Sequence, residues 1–296
     1  MNPKIIKKIN QIFHDEESSI YDKLHPEIIR QETLHWNLII TKLLKLTFLK
    51  KSSIKILDIG SGTGFVPFQF LRHLDSKSEV ICIDISLKML KKLNQNGLPT
   101  VWCDAENLPF KNASVNLITC NSVLHHLPNY RECIKEMDRI LSRGGIIVIA
   151  HEPNRRFGEN KILVIIYYII SRIVSLYSYR RGYKQLSTAY GLHQKVISQI
   201  KEKKITKNDL NQVELQQIVD IHSITASGKI DNKKGFYPNN LIETYFSRYN
   251  IIELQTYNHI GKINPNRNMI LNILNKILKI FFKNDGLLFS IVIKKI

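Results

Sequence analysis

The segment Ile56–Gly64, ILDIGSGTG, limits what this chain can become more than any other. An apolar run that reads as a buried strand passes straight into three glycines at alternate positions, and FVPFQFLRHL after them reads as a helix. A strand, a glycine turn and a helix opening from it bring backbone N–H groups and a helix N-terminus up to a ligand. The same texture continues along the chain. EVICIDIS, TVWCDA, SVNLITCN and GGIIVIAHEP read as further strands, with LKMLKKLNQNG and YRECIKEMDRIL as helices among them. Continuous apolar strands separated by helices imply a parallel sheet covered on both faces. The expected fold is therefore a doubly wound α/β sheet, with ligands bound beyond the carboxyl ends of its strands. A chain of 296 residues has ample material for that core.

The glycine spacing selects among ligands. A dinucleotide loop wants G-x-G-x-x-G/A, but Gly60, Gly62 and Gly64 give G-x-G-x-G, and bulky Phe65 takes the third fingerprint position. No G-x-x-x-x-G-K-[ST] occurs, which excludes a phosphate-gripping P-loop. Asp58, two places ahead of the glycines, would repel a phosphate from the mouth of the loop and would suit a ligand carrying an ammonium and a sulfonium.

ILDIGSGTG resembles the first motif of the class I S-adenosylmethionine-dependent methyltransferases, apolar-apolar-acid-apolar-G-x-G-x-G, at every position. The HHL of SVLHHL is similar to a methyltransferase-11-like branch whose members act on small molecules. The resemblance implies S-adenosyl-L-methionine as cofactor, held at the loop by Asp58, Gly60, Ser61, Gly62 and Gly64. It implies that Asp84, with Ile85 beside it, accepts the ribose hydroxyls. In WCDAENLPF, Asp104 would take the adenine amino group while the Ala105 backbone faces the ring edge; Asn121 would lie under the methionine moiety. The family closes its sheet with an antiparallel pair, for which NIIELQTY and LLFSIVIKK are available. That completes a seven-stranded Rossmann-like sheet with the last strand antiparallel. The resemblance covers Ile54–Glu152 by motif and Pro238–Lys295 by topology.

Methyl transfer from a sulfonium is an in-line displacement, so the enzyme aligns donor with acceptor and, where needed, removes a proton. His125 and His126 follow the fourth strand, and His151 with Glu152 follows the fifth, at neighbouring strand ends. The three histidines are the candidate bases. Their spacing with Glu152 matches no common zinc pattern, and no metal is expected.

Four blocks follow: a helical cap over 1–50, the cofactor-binding core over 51–154, a basic helical insertion or lid over 155–235, and the rest of the core over 236–296. In the cap, Ile28, Leu34, Leu38, Leu43 and Leu46 recur on one helical face, with Pro26 and Glu27 at its start. Net charge is +18, and it is uneven: residues 1–150 hold 20 Lys and Arg against 15 Asp and Glu, residues 151–296 hold 23 against 10. Within 155–207, twelve basic side chains and interleaved tyrosines surround the apolar run Ile162–Ile170. This is the composition of a lid over an aromatic-lined pocket and equally of an interfacial helix, so peripheral membrane contact through 155–207 is one expectation. The run is about half the length a spanning helix needs. The N-terminus lacks the apolar run of a signal peptide, and four unpaired cysteines fit buried thiols in a reducing compartment, so a cytoplasmic location is expected.

The expected function is methyl transfer to a small-molecule acceptor, a sugar, a quinone-like ring or another secondary metabolite, at oxygen. An RNA, protein or membrane-lipid acceptor is the alternative raised by the charge, but the chain has no recognisable RNA-binding module and carries NSVL where base methylators carry N-P-P-Y. A binding module that has lost catalysis is disfavoured by the intact loop and Asp84.

Overall fold

The computed structural model describes residues 1–25, 32–46, 53–75, 77–206, 209–261 and 269–296, apart from the side chains of 174–187. Before the sheet come α1 (Pro3–Glu17), α2 (Tyr21–Leu24) and α3 (Thr33–Lys45). The alternating part runs β1 (Lys55–Ile59), α4 (Phe65–Leu71), β2 (Glu79–Asp84), α5 (Leu87–Gln95), β3 (Thr100–Trp102), β4 (Val115–Asn121), α6 (Tyr130–Ile140) and β5 (Leu141–Pro153). A single 3₁₀ turn, Leu124–His126, follows β4. The insertion supplies α7 (Arg155–Glu159), α8 (Lys161–Glu202) and α9 (Gln212–Val219). The chain closes with α10 (Pro238–Tyr245), β6 (Tyr249–Tyr257), α11 (Met269–Phe281) and β7 (Leu288–Lys295).

The seven strands are ordered β3-β2-β1-β4-β5-β7-β6. The first five pair in parallel, and β7 lies antiparallel between β5 and β6. The chain therefore reverses its direction of travel across the sheet between β1 and β4, and their carboxyl ends flank the crevice where such sheets take ligands.

Strand alternation sorts the core into two layers. Leu57 and Ile59 face a cluster with Ile134 and Met137 of α6 and Leu241 of α10. Ile54 and Ile56 face the other, with Trp36 and Ile40 of α3, Phe70 of α4 and Leu90 of α5. A third cluster joins Ile9 and Phe13 of α1 to Leu192 and Val196 of α8 and Leu215 of α9. A fourth holds Phe157, Leu163 and Ile170 with Leu278 of α11.

The α3 face differs from the sequence expectation. Trp36, Ile39, Ile40 and Leu43 are buried, whereas Leu34, Leu38 and Leu46 are exposed; Ile28, Pro26 and Glu27 lie outside the described residues. The physical reason is the indole: Trp36 packs edge-on to Phe70 with ring centroids 6.0 Å apart, and that contact fixes the rotation of the helix. Among the described residues no helix is long and apolar enough to cross a membrane. All four cysteines carry free thiols.

Candidate active site

At the end of β1 the chain turns sharply under the control of its glycines. Gly60 has φ 65°, and a Cβ there would lie 2.4 Å from Val123. Gly64, with φ 94°, would drive a Cβ to 2.4 Å from Leu93 and 2.7 Å from Phe68. At both positions neighbouring side chains leave no room for a Cβ, although Gly60 also borders a cleft. Gly62 is different: its Cβ would meet no atom within 4 Å, and the residue lines a cleft. The space against its backbone is open to a ligand.

That cleft is lined by Gly60, Gly62, Asp84, Ile85, Asp104, Ala105 and Asn121. Asp84 receives the Gly62 N–H on Oδ2 at 2.9 Å and the Ser86 N–H on Oδ1 at 2.8 Å, which fixes the carboxylate at the end of β2. Burial raises its pKa. Asp104 accepts the Glu106 N–H and is salt-bridged to Lys7 of α1 at 2.6 Å. Asn121 accepts from Trp36 Nε1 at 3.0 Å and donates to Glu32 at 2.9 Å. Lys7, Asn10, His14 and Tyr21 cover the cleft from above and reduce it to about 100 Å³.

Asp58 occupies a different place from the mouth of the loop. It is 2% exposed, lies opposite Thr119 in the β1–β4 register and accepts that hydroxyl at 2.5 Å. Burial pushes its pKa up to about 7, against the hydrogen bonds that favour the anion. Ser61 donates to the Asp58 carbonyl at 2.9 Å. Asp58, Ser61 and Gly64 therefore shape the loop from behind.

A second cavity, about 530 Å³, opens beside the first beneath α1, α8 and α9. Its walls mix apolar side chains (Phe13, Leu24, Leu192, Val219, Ile224) with His125, His126 and His151. His14, Tyr21, Ser122 and His126 line both spaces, so the two meet there. Two non-glycine residues at this junction hold left-handed backbone, Ser122 at φ 61° after β4 and His151 at φ 59° near the end of β5. Such conformations cost roughly 1–3 kcal/mol and persist where the surroundings enforce them.

Glu152 supplies part of that enforcement. Fully buried, it accepts the N–H groups of Val123, Leu124 and His125 and the His125 Nδ1–H, at 2.7 to 3.1 Å. The carboxylate thereby fastens the 3₁₀ turn that carries both histidines. Burial lowers the His125 pKa, and neighbouring His126 lowers it further. His126 behaves oppositely: burial would lower its pKa, but Asp220, 3.1 Å from Nδ1, outweighs this and raises it. Val219 O, 2.9 Å from the same nitrogen, fixes the proton on Nδ1 and leaves Nε2 basic. His151 Nδ1 stands 3.0 Å from the Glu32 carboxylate.

A family profile described as a methyltransferase domain matches residues 57–149. Over 147 residues the chain is 30% identical to the demethylmenaquinone methyltransferase of Staphylococcus carnosus, covering 48% of this chain and 59% of that protein. Over 107 residues it is 34% identical to the ubiquinone/menaquinone biosynthesis C-methyltransferase UbiE of Idiomarina loihiensis, covering 33% and 43%. The chain thus spans about half the length of the relatives it matches. A chain in the complex between the Haloferax volcanii Trm112 methyltransferase activator and a methyltransferase superposes with a TM-score of 0.52, over 95% of this chain and 96% of that one; at 11% identity, the likeness is one of fold. Residues 57–149 are a methyltransferase domain by that match.

The cofactor of this methyltransferase class is S-adenosylmethionine, and the cleft has the features it needs: an open glycine backbone, a fixed carboxylate at the end of β2 and a second acid beyond β3. The structure gathers His125, His126 and His151 around one cavity as the sequence reading expected. Four residues that the reading did not single out stand beside these candidates: His14 and Tyr21 line both spaces, Asp220 meets His126, and Glu32 meets Asn121 and His151. Each sits in the cap or the insertion, where no motif marks it. Asp220 follows a capping box at Asn211–Glu214, which signals the start of α9 and says nothing of where its end points.

Proposed function

We propose that the protein transfers a methyl group from S-adenosylmethionine to a small aromatic acceptor of the hydroquinone class, with His126 as proton acceptor. The observation that carries this reading is that His126 lines both the cofactor cleft and the larger cavity. The larger cavity, about 530 Å³, falls within the roughly 300–1,000 Å³ of small-molecule sites. Its apolar walls suit a ring, and the relatives' printed names concern quinone methylation.

When bound, the cofactor supplies a methyl group on a positively charged sulfur. Gly62 admits it against bare backbone, Asp84 accepts two hydroxyls with the lone pairs left by Gly62 and Ser86, and Asp104 and Ala105 face the base. Asn121, fixed by Trp36 and Glu32, borders the reacting end. His126 holds its Nδ1–H toward Val219 O and Asp220, so Nε2 removes the acceptor's phenolic proton and raises the electron density on the ring. His125 is a positioning residue, tied to Glu152, and His151 bounds the acceptor.

The test incubates the full chain with S-adenosylmethionine and a panel of hydroquinones, catechols and sugars, following S-adenosylhomocysteine and product by mass spectrometry. Methylation of a hydroquinone, at least tenfold slower in His126→Ala with unchanged cofactor affinity, is the expected result; NMR of the product identifies the methylated atom. Preference for a sugar, or wild-type turnover in His126→Ala, would overturn it.

A further inference from the structure

Away from the site, two helices present apolar side chains to solvent. On α8, Ile162, Ile165 and Ile169 are 56%, 58% and 54% exposed, at the spacing of one helical face. On α11, Ile273, Ile277 and Ile280 repeat the pattern at 50%, 45% and 77%. The inward faces of both helices enter one buried cluster, through Leu163 and Ile170 of α8 and Leu278 of α11. The two exposed stripes therefore border the same part of the core.

Beside α11 lies a groove of about 510 Å³ between α3, β6 and α11. Four lysines line it, Lys42, Lys45, Lys279 and Lys283, against one acid, Glu253, which Lys42 engages at 2.6 Å. Among the described residues Lys45, Lys279 and Lys283 have no carboxylate partner. Lys279 stands on the helix that carries the isoleucines, and Lys283 follows in the turn two residues beyond its end. Exposed apolar stripes flanked by unpaired cations are what an interfacial surface requires, since the apolar face enters the acyl boundary while the cations meet lipid phosphates.

We infer that α8 and α11 form a membrane-docking face: their isoleucine stripes enter an anionic bilayer, and the lysine groove takes its phosphates. Charge decides the occupant. At +18 overall, a second copy of this chain is repelled, while an anionic surface is complementary. Ile224 and Leu287 of the same buried cluster also line the larger cavity, so the docking face and that cavity share one apolar core. The docking does not depend on the methyl-transfer reading.

The experiment is flotation of the full chain with vesicles of phosphatidylcholine alone or mixed equally with phosphatidylglycerol. It uses wild type, Ile273→Ser/Ile277→Ser/Ile280→Ser and Lys279→Glu/Lys283→Glu. All five positions are exposed, so the fold is retained, which melting and cofactor binding check. Wild type is expected to float with the phosphatidylglycerol vesicles and to be released by salt, and each variant to lose affinity at least tenfold. Equal flotation of all three proteins, absence of wild-type binding, or a wild-type dimer that the variants dissolve would overturn the proposal. Turnover of a water-soluble acceptor stays at the wild-type rate in both variants, so failure of docking and failure of methyl transfer are read separately.

Discussion

Asp84 ends β2 and Asp58 is the last residue but one of the adjacent β1, yet their surroundings give them different work. Each Asp84 oxygen spends one lone pair on a backbone N–H, and the group lines the cleft. Asp84→Ala is expected to weaken S-adenosylmethionine binding at least tenfold by calorimetry, because the cleft loses its fixed acceptor; Asp58→Asn should change it less than threefold. Asp58 instead speaks through stability. Its folded pKa of about 7 stands above the ordinary 3.8, so the fold favours the protonated form. Its contribution is fully present below 3.8 and is lost as pH rises through 7, so melting curves should show Asp58→Asn gaining on wild type across that window. A gap between the two that stays constant with pH would show the carboxyl to be ionised throughout. His126 titrates in the opposite sense for activity, since only its neutral form accepts a proton. Turnover should rise with pH through a pKa above 6.5. Asp220→Asn removes the anion that raises this pKa, so the rising limb moves to lower pH while the plateau falls, by about 10–100-fold for a misoriented base. An unshifted profile would leave Asp220 with a packing role only.

At the scale of elements, α3 shows what periodicity can and cannot decide. Leu34, Leu38, Leu43 and Leu46 made a plausible face, but Trp36 is wholly buried and aligns the helix against Phe70. A helix with apolar residues on most sides has several faces that would serve, and only the partner surface chooses. Trp36→Ala should therefore cost about 3–5 kcal/mol in denaturant unfolding, the range for large aromatic truncations. It also strips Asn121 of its donor, so cofactor affinity should fall with stability; a loss below about 1 kcal/mol would contradict the burial. By contrast the strand–glycine–helix unit, the acids at the ends of β2 and after β3, and the paired histidines were legible, because neighbours in sequence form them. Asp220 meets His126 from 94 positions away, and Glu32 reaches Asn121 across 89. No local pattern carries such pairs; the topology creates them.

The molecule as a whole is tied together by its first helix. Asp15 of α1 accepts from the Ser86 hydroxyl at 2.7 Å and the Lys88 N–H at 3.1 Å, at the edge of the cofactor cleft. Glu16 bridges Lys88 of the core and Lys195 of the insertion. Through Ile9 and Phe13 the same helix shares a buried cluster with α8 and α9, which roof the larger cavity. With α1 seated, the cleft is about 100 Å³, well under the roughly 300 Å³ at which ligand sites begin. Seating the cofactor is therefore expected to displace α1, and a displaced α1 loosens the roof. The two cavities are coupled by that mechanical link, so filling one should order the other. Hydrogen exchange should show S-adenosylhomocysteine slowing α1 and the stretch of α8 around Leu192–Ile200 together, although no residue of α8 lines the cofactor cleft. Asp15→Ala cuts the tie to α5 and should confine the slowing to the glycine loop and β2 while speeding ligand release. If exchange in wild type were slowed at the loop alone, the cap and the insertion would move independently, and the ordered closure argued here would be absent.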